Sequence, residues 1–297
     1  GGHKMVLDKE WIPTGGSEGI LFIHGLYHDL NDALKRFGQF LALGNFPKHI
    51  RPFVFNWPSA TSPLLYWCAH NQASDNDTHR DFKRFLKCLE VAGIKILHIM
   101  CHSLGARFFL RSFATTKSIF SRQPGAFLGS MLSDESEEEH QFPRAQPSGI
   151  NTEPVNDRRI ELRNLIFLNP EYEFSTFVHD YDDVKPYTQN ITLYADSRDI
   201  AVKASGTLTR QKNFGIASIK SGFLGGKIDM DVVDTSDLDR NMNSQFHGYF
   251  NINRVMVDDL WELIVTSKRA SERTSRLKRS NTGVYRFTLL PSSVVAI

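Results

Sequence analysis

Apolar residues in this chain fall into short blocks, separated by longer stretches with a helical period. Ile20-Leu21-Phe22-Ile23 is a branched and aromatic block closed by His24-Gly25, and Phe53-Val54-Phe55 is a second. Ile96 to Cys101 is a third, Leu165-Ile166-Phe167-Leu168 a fourth and Asn190 to Ala195 a fifth. Short apolar runs bounded by turn residues read as buried strands. Ile228-Asp229-Met230-Asp231-Val232-Val233-Asp234 alternates apolar and polar residues, as a half-buried strand would. Between these blocks the spacing predicts helices from about Asn31 to Leu43, and from Thr78 to Val91 with Phe82, Phe85, Leu86 and Leu89 on one face. Two more helices are expected from Ser103 to about Ala114 and from Val255 to Val265, the latter burying Val255, Leu260, Leu263 and Ile264. Strands alternating with helices predict an α/β fold: a mostly parallel central sheet with helices on both faces.

The third block changes the picture from fold to chemistry. It ends abruptly in Cys101-His102-Ser103-Leu104-Gly105, and a helix pattern begins at once. A sharp strand-to-helix turn of this kind presents a serine oxygen at the sheet edge, and it needs small residues two before and two after the serine. Gly105 meets that need, and Cys101 stands where glycine is usual. The plainer alternative is a buried strand followed by a helix that Ser103 merely caps, serine being a favoured cap.

An acyl-transfer serine needs a base, an acid to orient the base, and donors for the oxyanion. In hydrolases built on such a turn the chain order is serine, acid, histidine, with an oxyanion loop upstream. Gly25 lets the backbone turn tightly after the first block, so the amides of Leu26 and Leu104 are the expected oxyanion donors. One such donor is worth about 3–4 kcal/mol in the transition state. His24 reads as a residue that packs this loop rather than as a second base, with His102 likewise positioning. Three acids are open: Asp199 is preferred, Asp196 in the same loop is second, and Glu171 at the end of the preceding strand is third. His247 lies after the last strand and is the final histidine of the chain, which makes it the expected general base.

These pieces together resemble a branch of the α/β-hydrolase superfamily catalogued as "domain of unknown function" nine hundred. The shared landmarks are His24-Gly25, Phe55-Asn56-Trp57-Pro58-Ser59, His102-Ser103-Leu104-Gly105, Asn169-Pro170-Glu171, Ser197 to Ala201, and His247-Gly248-Tyr249-Phe250. The similarity spans roughly residues 18–265. It implies an α/β-hydrolase fold with Ser103 as nucleophile, Asp199 as acid and His247 as base. Glu171 stands where Asp is commoner in that family.

Composition narrows what remains. With 297 residues and 41% hydrophobic content the chain can bury one large core, and a net charge of +2 gives no reason to expect nucleic acid. Cys68, Cys88 and Cys101 are odd in number and unevenly spaced, as expected of reduced thiols. No apolar run approaches the roughly 18 residues that span a bilayer, and no secretory signal opens the chain, so an intracellular, cytoplasmic location is expected. Residues 1–17 read as an N-terminal extension or cloning remnant and 18–267 as the hydrolase domain. Within it, residues 122–157 carry five acids in Asp134 to Glu139 and several prolines, and are expected to be a disordered insertion. Residues 268–297 form a basic tail, with Val284 to Leu290 as a candidate added strand. Its cations could touch anionic lipid weakly, each being worth about 1 kcal/mol near such a surface.

No metal or cofactor is expected. The pairs His24/His28 and His98/His102 straddle strand ends, where a spacing of four has no helical meaning, and Ser221 to Gly226 lacks the lysine of a phosphate loop. The sequence therefore leads to a serine esterase or lipase-like enzyme acting on a small-molecule or lipid acyl ester or thioester. The competing expectation is a silent hydrolase fold serving as a ligand sensor or interaction module of a larger protein.

Overall fold

The computed structural model describes residues 16–26, 29–59, 65–124, 159–199, 212–221, 228–238 and 250–288. The core of the 122–157 insertion, residues 60–64 and 200–211, and His247 with its neighbours lie outside them.

The apolar blocks become strands β1 (Glu18–Ile23), β2 (Ile50–Phe55), β3 (Ile96–His102), β4 (Glu161–Leu168), β5 (Thr188–Ala195) and β6 (Asp231–Asp234). Two short strands follow, β7 (Leu277–Arg279) and β8 (Tyr285–Phe287). One eight-stranded sheet results, in the order β2-β1-β3-β4-β5-β6-β8-β7. All pairings are parallel except β7 with β8. The helices are α1 (Leu30–Gly44), α2 (Tyr66–Gln72), α3 (Asn76–Val91), α4 (Leu104–Thr116), α5 (Phe174–Val184), α6 (Phe214–Ser221) and α7 (Arg254–Thr266).

Side chains alternate across a strand, so the sheet feeds two cores. Leu21, Ile23, Leu97, Ile99, Leu165 and Phe167 face α3, α4 and α5, packing against Phe82, Leu86, Phe108 and Phe177. Ile20, Phe22, Met100, Ile166 and Tyr194 face the other way, against Phe37 and Phe40 of α1 and Leu260, Leu263 and Ile264 of α7. The strand order reverses between β1 and β3: the chain leaves β1 towards α1 on one face and leaves β3 towards α4 on the other. A crevice opens beyond the carboxyl ends of the strands at such a switch point. Gly25 and Ser103 stand there.

Three expectations are corrected. Strand β6 covers only Asp231–Asp234 and is buried throughout rather than alternating. Its aspartates can be buried because Arg269 donates to both oxygens of Asp231 at 2.9 and 3.0 Å, while Arg286 pairs with Asp234 at 3.3 Å. Val255 is 37% exposed in the first turn of α7, whereas Met256 and Val257 are buried. The basic stretch is also knitted into the domain: Arg273 pairs with Asp259, Arg276 with Glu262, and Arg269 with Asp229 and Asp231. Lys278 and Arg279 remain exposed.

A second polar network crosses the far end of the sheet. The Asn164 amide donates to His98 Nδ1 at 2.8 Å, so His98 donates through Nε2 to Glu18, also at 2.8 Å. Asn190 donates to Asn164 and to the Ser267 carbonyl beyond α7. Burial pulls the His98 imidazole below its ordinary pKa, outweighing the upward pull of Glu18, and burial lowers His24 likewise. Both rings therefore bind protons more readily in the unfolded chain. Stability should be fully present above about pH 6.5, the unfolded imidazole value, and fall as pH drops below it. The melting temperature is expected to be several degrees lower at pH 5.5 than at pH 7.5, with a smaller drop in His98→Gln.

Candidate active site

Ser103 sits between β3 and α4 with φ 53° and ψ −122°. A helix N-cap normally has extended backbone and a side chain that accepts from the first turn, as Asp75 and Asn253 do at α3 and α7. Ser103 does neither: its φ is positive and its hydroxyl makes no capping bond. Non-glycine residues held in such sparsely populated regions cost on the order of 1–3 kcal/mol and cluster at functional sites. The turn is fixed from two sides. The Ser103 amide donates to the Leu168 carbonyl at the end of β4, and the Glu171 amide donates to the Ser103 carbonyl, both at 3.0 Å.

Two glycines let the loop after β1 approach this turn. A Cβ on Gly25 would stand 2.7 Å from Ser103 Cβ and 3.0 Å from the His102 carbonyl oxygen. A Cβ on Gly105 would stand 2.5 and 2.6 Å from the carbonyl oxygens of Ile23 and His24. Those obstacles are backbone, so Gly105→Ala must push the end of β1, which carries Leu26, away from Ser103. Displacements of about 1 Å cost about a hundredfold in rate, and a loss of that order in kcat is expected from Gly105→Ala by steady-state ester kinetics.

The tryptophan-proline-serine landmark supports the same loop. Trp57 donates from Nε1 to the His24 carbonyl at 2.8 Å and stacks on Phe108 of α4 at 5.2 Å. The buried His24 ring lies 2.9 Å from both the Gly25 carbonyl and the Asn56 side-chain oxygen. His102 is buried, with its ring 5.3 Å from that of Phe250. Leu26 is half-buried at the loop tip.

The three candidate acids occupy different settings. Asp196 and Asp199 are both buried in the turn after β5, which the Asp199 amide closes by donating to the Asp196 carbonyl at 3.1 Å. Asp196 helps build that turn: its carboxylate accepts from the Arg198 amide at 2.7 Å and lies 3.5 Å from the Arg198 guanidinium. Asp199 is fully buried at the turn's far end. Glu171, in the turn after β4, accepts from the Tyr66 hydroxyl of α2 at 2.5 Å. Burial and the Glu171 charge push that phenol far above its ordinary pKa. His247, Gly248 and Tyr249 lie outside the described residues.

Sequence reasoning gave no role to several residues that hold this site. Asn169 has φ 42° and accepts from the Asp196 amide at 2.9 Å, pinning the turn after β5 to the end of β4. The Asn-Pro dipeptide is a turn signal and asparagine tolerates the left-handed region, so the sequence did carry a hint. Arg107, one helical turn after Ser103, is buried and donates to both carboxylate oxygens of Glu173 at 2.8 and 3.0 Å. Burial raises Glu173, but the hydrogen bond and charge of Arg107 outweigh it and hold the carboxyl below its usual value. No group of three or more metal-ligating side chains occurs among the described residues, and none of their helices is long and apolar enough to cross a membrane.

With the elbow, its glycines and the switch-point sheet in place, the family can be stated. The family model for α/β hydrolases of unknown function (DUF900) matches residues 4–262. The chain belongs to this family. No curated protein matches it. The match ends inside α7, and the hairpin of β7 and β8 follows the matched residues.

Proposed function

We propose that the protein is a serine hydrolase that cleaves carboxylic esters or thioesters through an acyl-enzyme. The backbone of Ser103 carries this reading: a strained, non-capping serine at the carboxyl edge of β3, packed against Gly25. Ser103 Oγ attacks the acyl carbonyl while His247 takes its proton. The oxyanion is held by the amides of Leu26 and Leu104, and His247 returns the proton to the leaving alcohol or thiol. Water activated by the same imidazole then releases the acid. Asp199 orients the ring and stabilises its charged form. His247 is taken as the base from its place in the sequence after the last strand, three positions before Phe250, whose ring lies against that of His102, the neighbour of Ser103.

Hydrolysis of p-nitrophenyl acetate and butyrate tests the reading. Turnover is expected in the parent protein and should fall at least about a thousandfold in Ser103→Ala and in His247→Ala. Undiminished turnover in folded Ser103→Ala would overturn it. A parent with neither turnover nor acyl adduct would favour a silent ligand-binding module.

A further inference from the structure

Asn169 joins the two turns that the proposed reaction has to hold together. The Ser103 amide donates to the Leu168 carbonyl at 3.0 Å, and Asn169 is the next residue along that turn. Its side-chain oxygen accepts from the Asp196 amide at 2.9 Å, and the Asp199 amide donates to the Asp196 carbonyl at 3.1 Å. The link from the Ser103 backbone to the turn that carries Asp199 is thus one peptide unit and one side chain long. The residue type carries the argument further. With φ 42° the position suits glycine best, and glycine alone would serve the turn. Asparagine is tolerated in that region, and here its buried side chain adds an acceptor that glycine lacks.

An anchor must itself be fixed, and this one is. The Asn169 amide donates to the Tyr194 carbonyl near the end of β5 at 2.8 Å, and the Glu171 amide donates to the Ser103 carbonyl at 3.0 Å. Asn213, just before α6, donates from its side chain to the Pro170 carbonyl at 3.0 Å, and the Phe214 amide donates to the Tyr172 carbonyl at 2.8 Å. The acid's turn has a second hold on its other side, where the Ser197 amide donates to the Ser236 hydroxyl beyond β6 at 2.9 Å.

We propose that Asn169 is a positioning residue of the hydrolytic reaction, its side-chain oxygen holding the turn of Asp199 in register with Ser103. The proposal rests on the hydrolase reading with Asp199 as the acid, and it adds a residue that acts on the chemistry only through that acid. Supporting contacts of this kind keep a catalytic constellation in its productive geometry. Loss of the bond lets the Asp196–Asp199 turn drift away from β4 while Ser236 still holds its other side, so the effect is partial rather than complete.

Two substitutions test it. Asn169→Gly keeps the backbone conformation and removes the acceptor, whereas Asn169→Asp keeps both, because aspartate also tolerates the left-handed region. With p-nitrophenyl butyrate, kcat should fall roughly ten- to hundredfold in Asn169→Gly with KM within about twofold, as expected of a displacement of up to about 1 Å. Asn169→Asp should recover most of that loss. In an Asp199→Asn background Asn169→Gly should cost less than about threefold more, since residues that act as a unit are not additive. Amide hydrogen exchange, which needs no turnover, should be faster at Asp196 in Asn169→Gly and close to the parent rate in Asn169→Asp. A full further loss of kcat in the Asp199→Asn background, or equal losses in the glycine and aspartate variants, would show a general structural role and overturn the proposal. Undiminished kcat or unchanged Asp196 exchange in Asn169→Gly would overturn it too. A parent without turnover would remove the hydrolase reading and this role together. Turnover that Asp199→Asn abolishes and Asn169→Gly leaves intact would remove this role alone.

Discussion

Asp199→Asn is expected to lower kcat for ester hydrolysis by about ten-thousandfold with little change in KM. An amide in place of the orienting carboxylate holds the imidazole in the wrong tautomer, and a loss of that size is typical. Asp196→Asn and Glu171→Gln should each stay within about tenfold of the parent. Asn at 196 can still accept from the Arg198 amide, and Gln at 171 can still accept from the Tyr66 hydroxyl. Steady-state kinetics on the three variants separates the candidates. Collapse in Glu171→Gln with Asp199→Asn near normal would move the acid from the turn after β5 to the turn after β4.

The largest effect on stability is expected at Arg273. Its guanidinium is fully buried and donates from Nε to Asp259 at 2.9 Å and from Nη1 to the Lys268 carbonyl at 2.7 Å. Nη2 reaches the Tyr194 hydroxyl at 3.2 Å, and Tyr194 itself donates to Asp259 at 2.6 Å. The triad ties β5, α7 and the turn leading to β7 into one unit. Arg273→Ala leaves Asp259 buried with its strongest partner gone, and breaking a buried pair in this way costs about 3–5 kcal/mol. Urea unfolding should show that loss as a lower midpoint. Replacing both partners by apolar residues, Arg273→Met with Asp259→Leu, should recover much of it, because no buried charge is then left over. A loss below about 1 kcal/mol in Arg273→Ala would show that the pair is not buried as described.

What the sequence carried, and what it did not, follows from where the information sits. Strands buried on both faces announce themselves as continuous apolar runs, and β1, β3, β4 and β5 were legible for that reason. Ser103 with Gly105, and Gly25 after β1, were legible because a tight turn and close backbone approach restrict residue type locally. Strand β6 misled because Asp231 and Asp234 look solvent-facing until Arg269 and Arg286, some 38 and 52 positions later in the chain, arrive to pair them. The three residues of β7 read as part of a basic tail because Lys278 and Arg279 stay exposed and only pairing with β8 makes them a strand. Seven-residue α2 has too few turns to show a period, and its place depends on Tyr66 meeting Glu171. The pairing of Arg107 with Glu173 and the pinning of Asp196 by Asn169 are likewise contacts between distant segments, invisible to any local pattern.

The central claim is that Ser103 is an activated nucleophile, and a fluorophosphonate probe tests it most directly. Intact-mass measurement after incubation should show one adduct on the parent protein, mapped to Ser103, and none on Ser103→Ala. An unlabelled parent that melts cooperatively, or a label that persists on Ser103→Ala, would contradict the account.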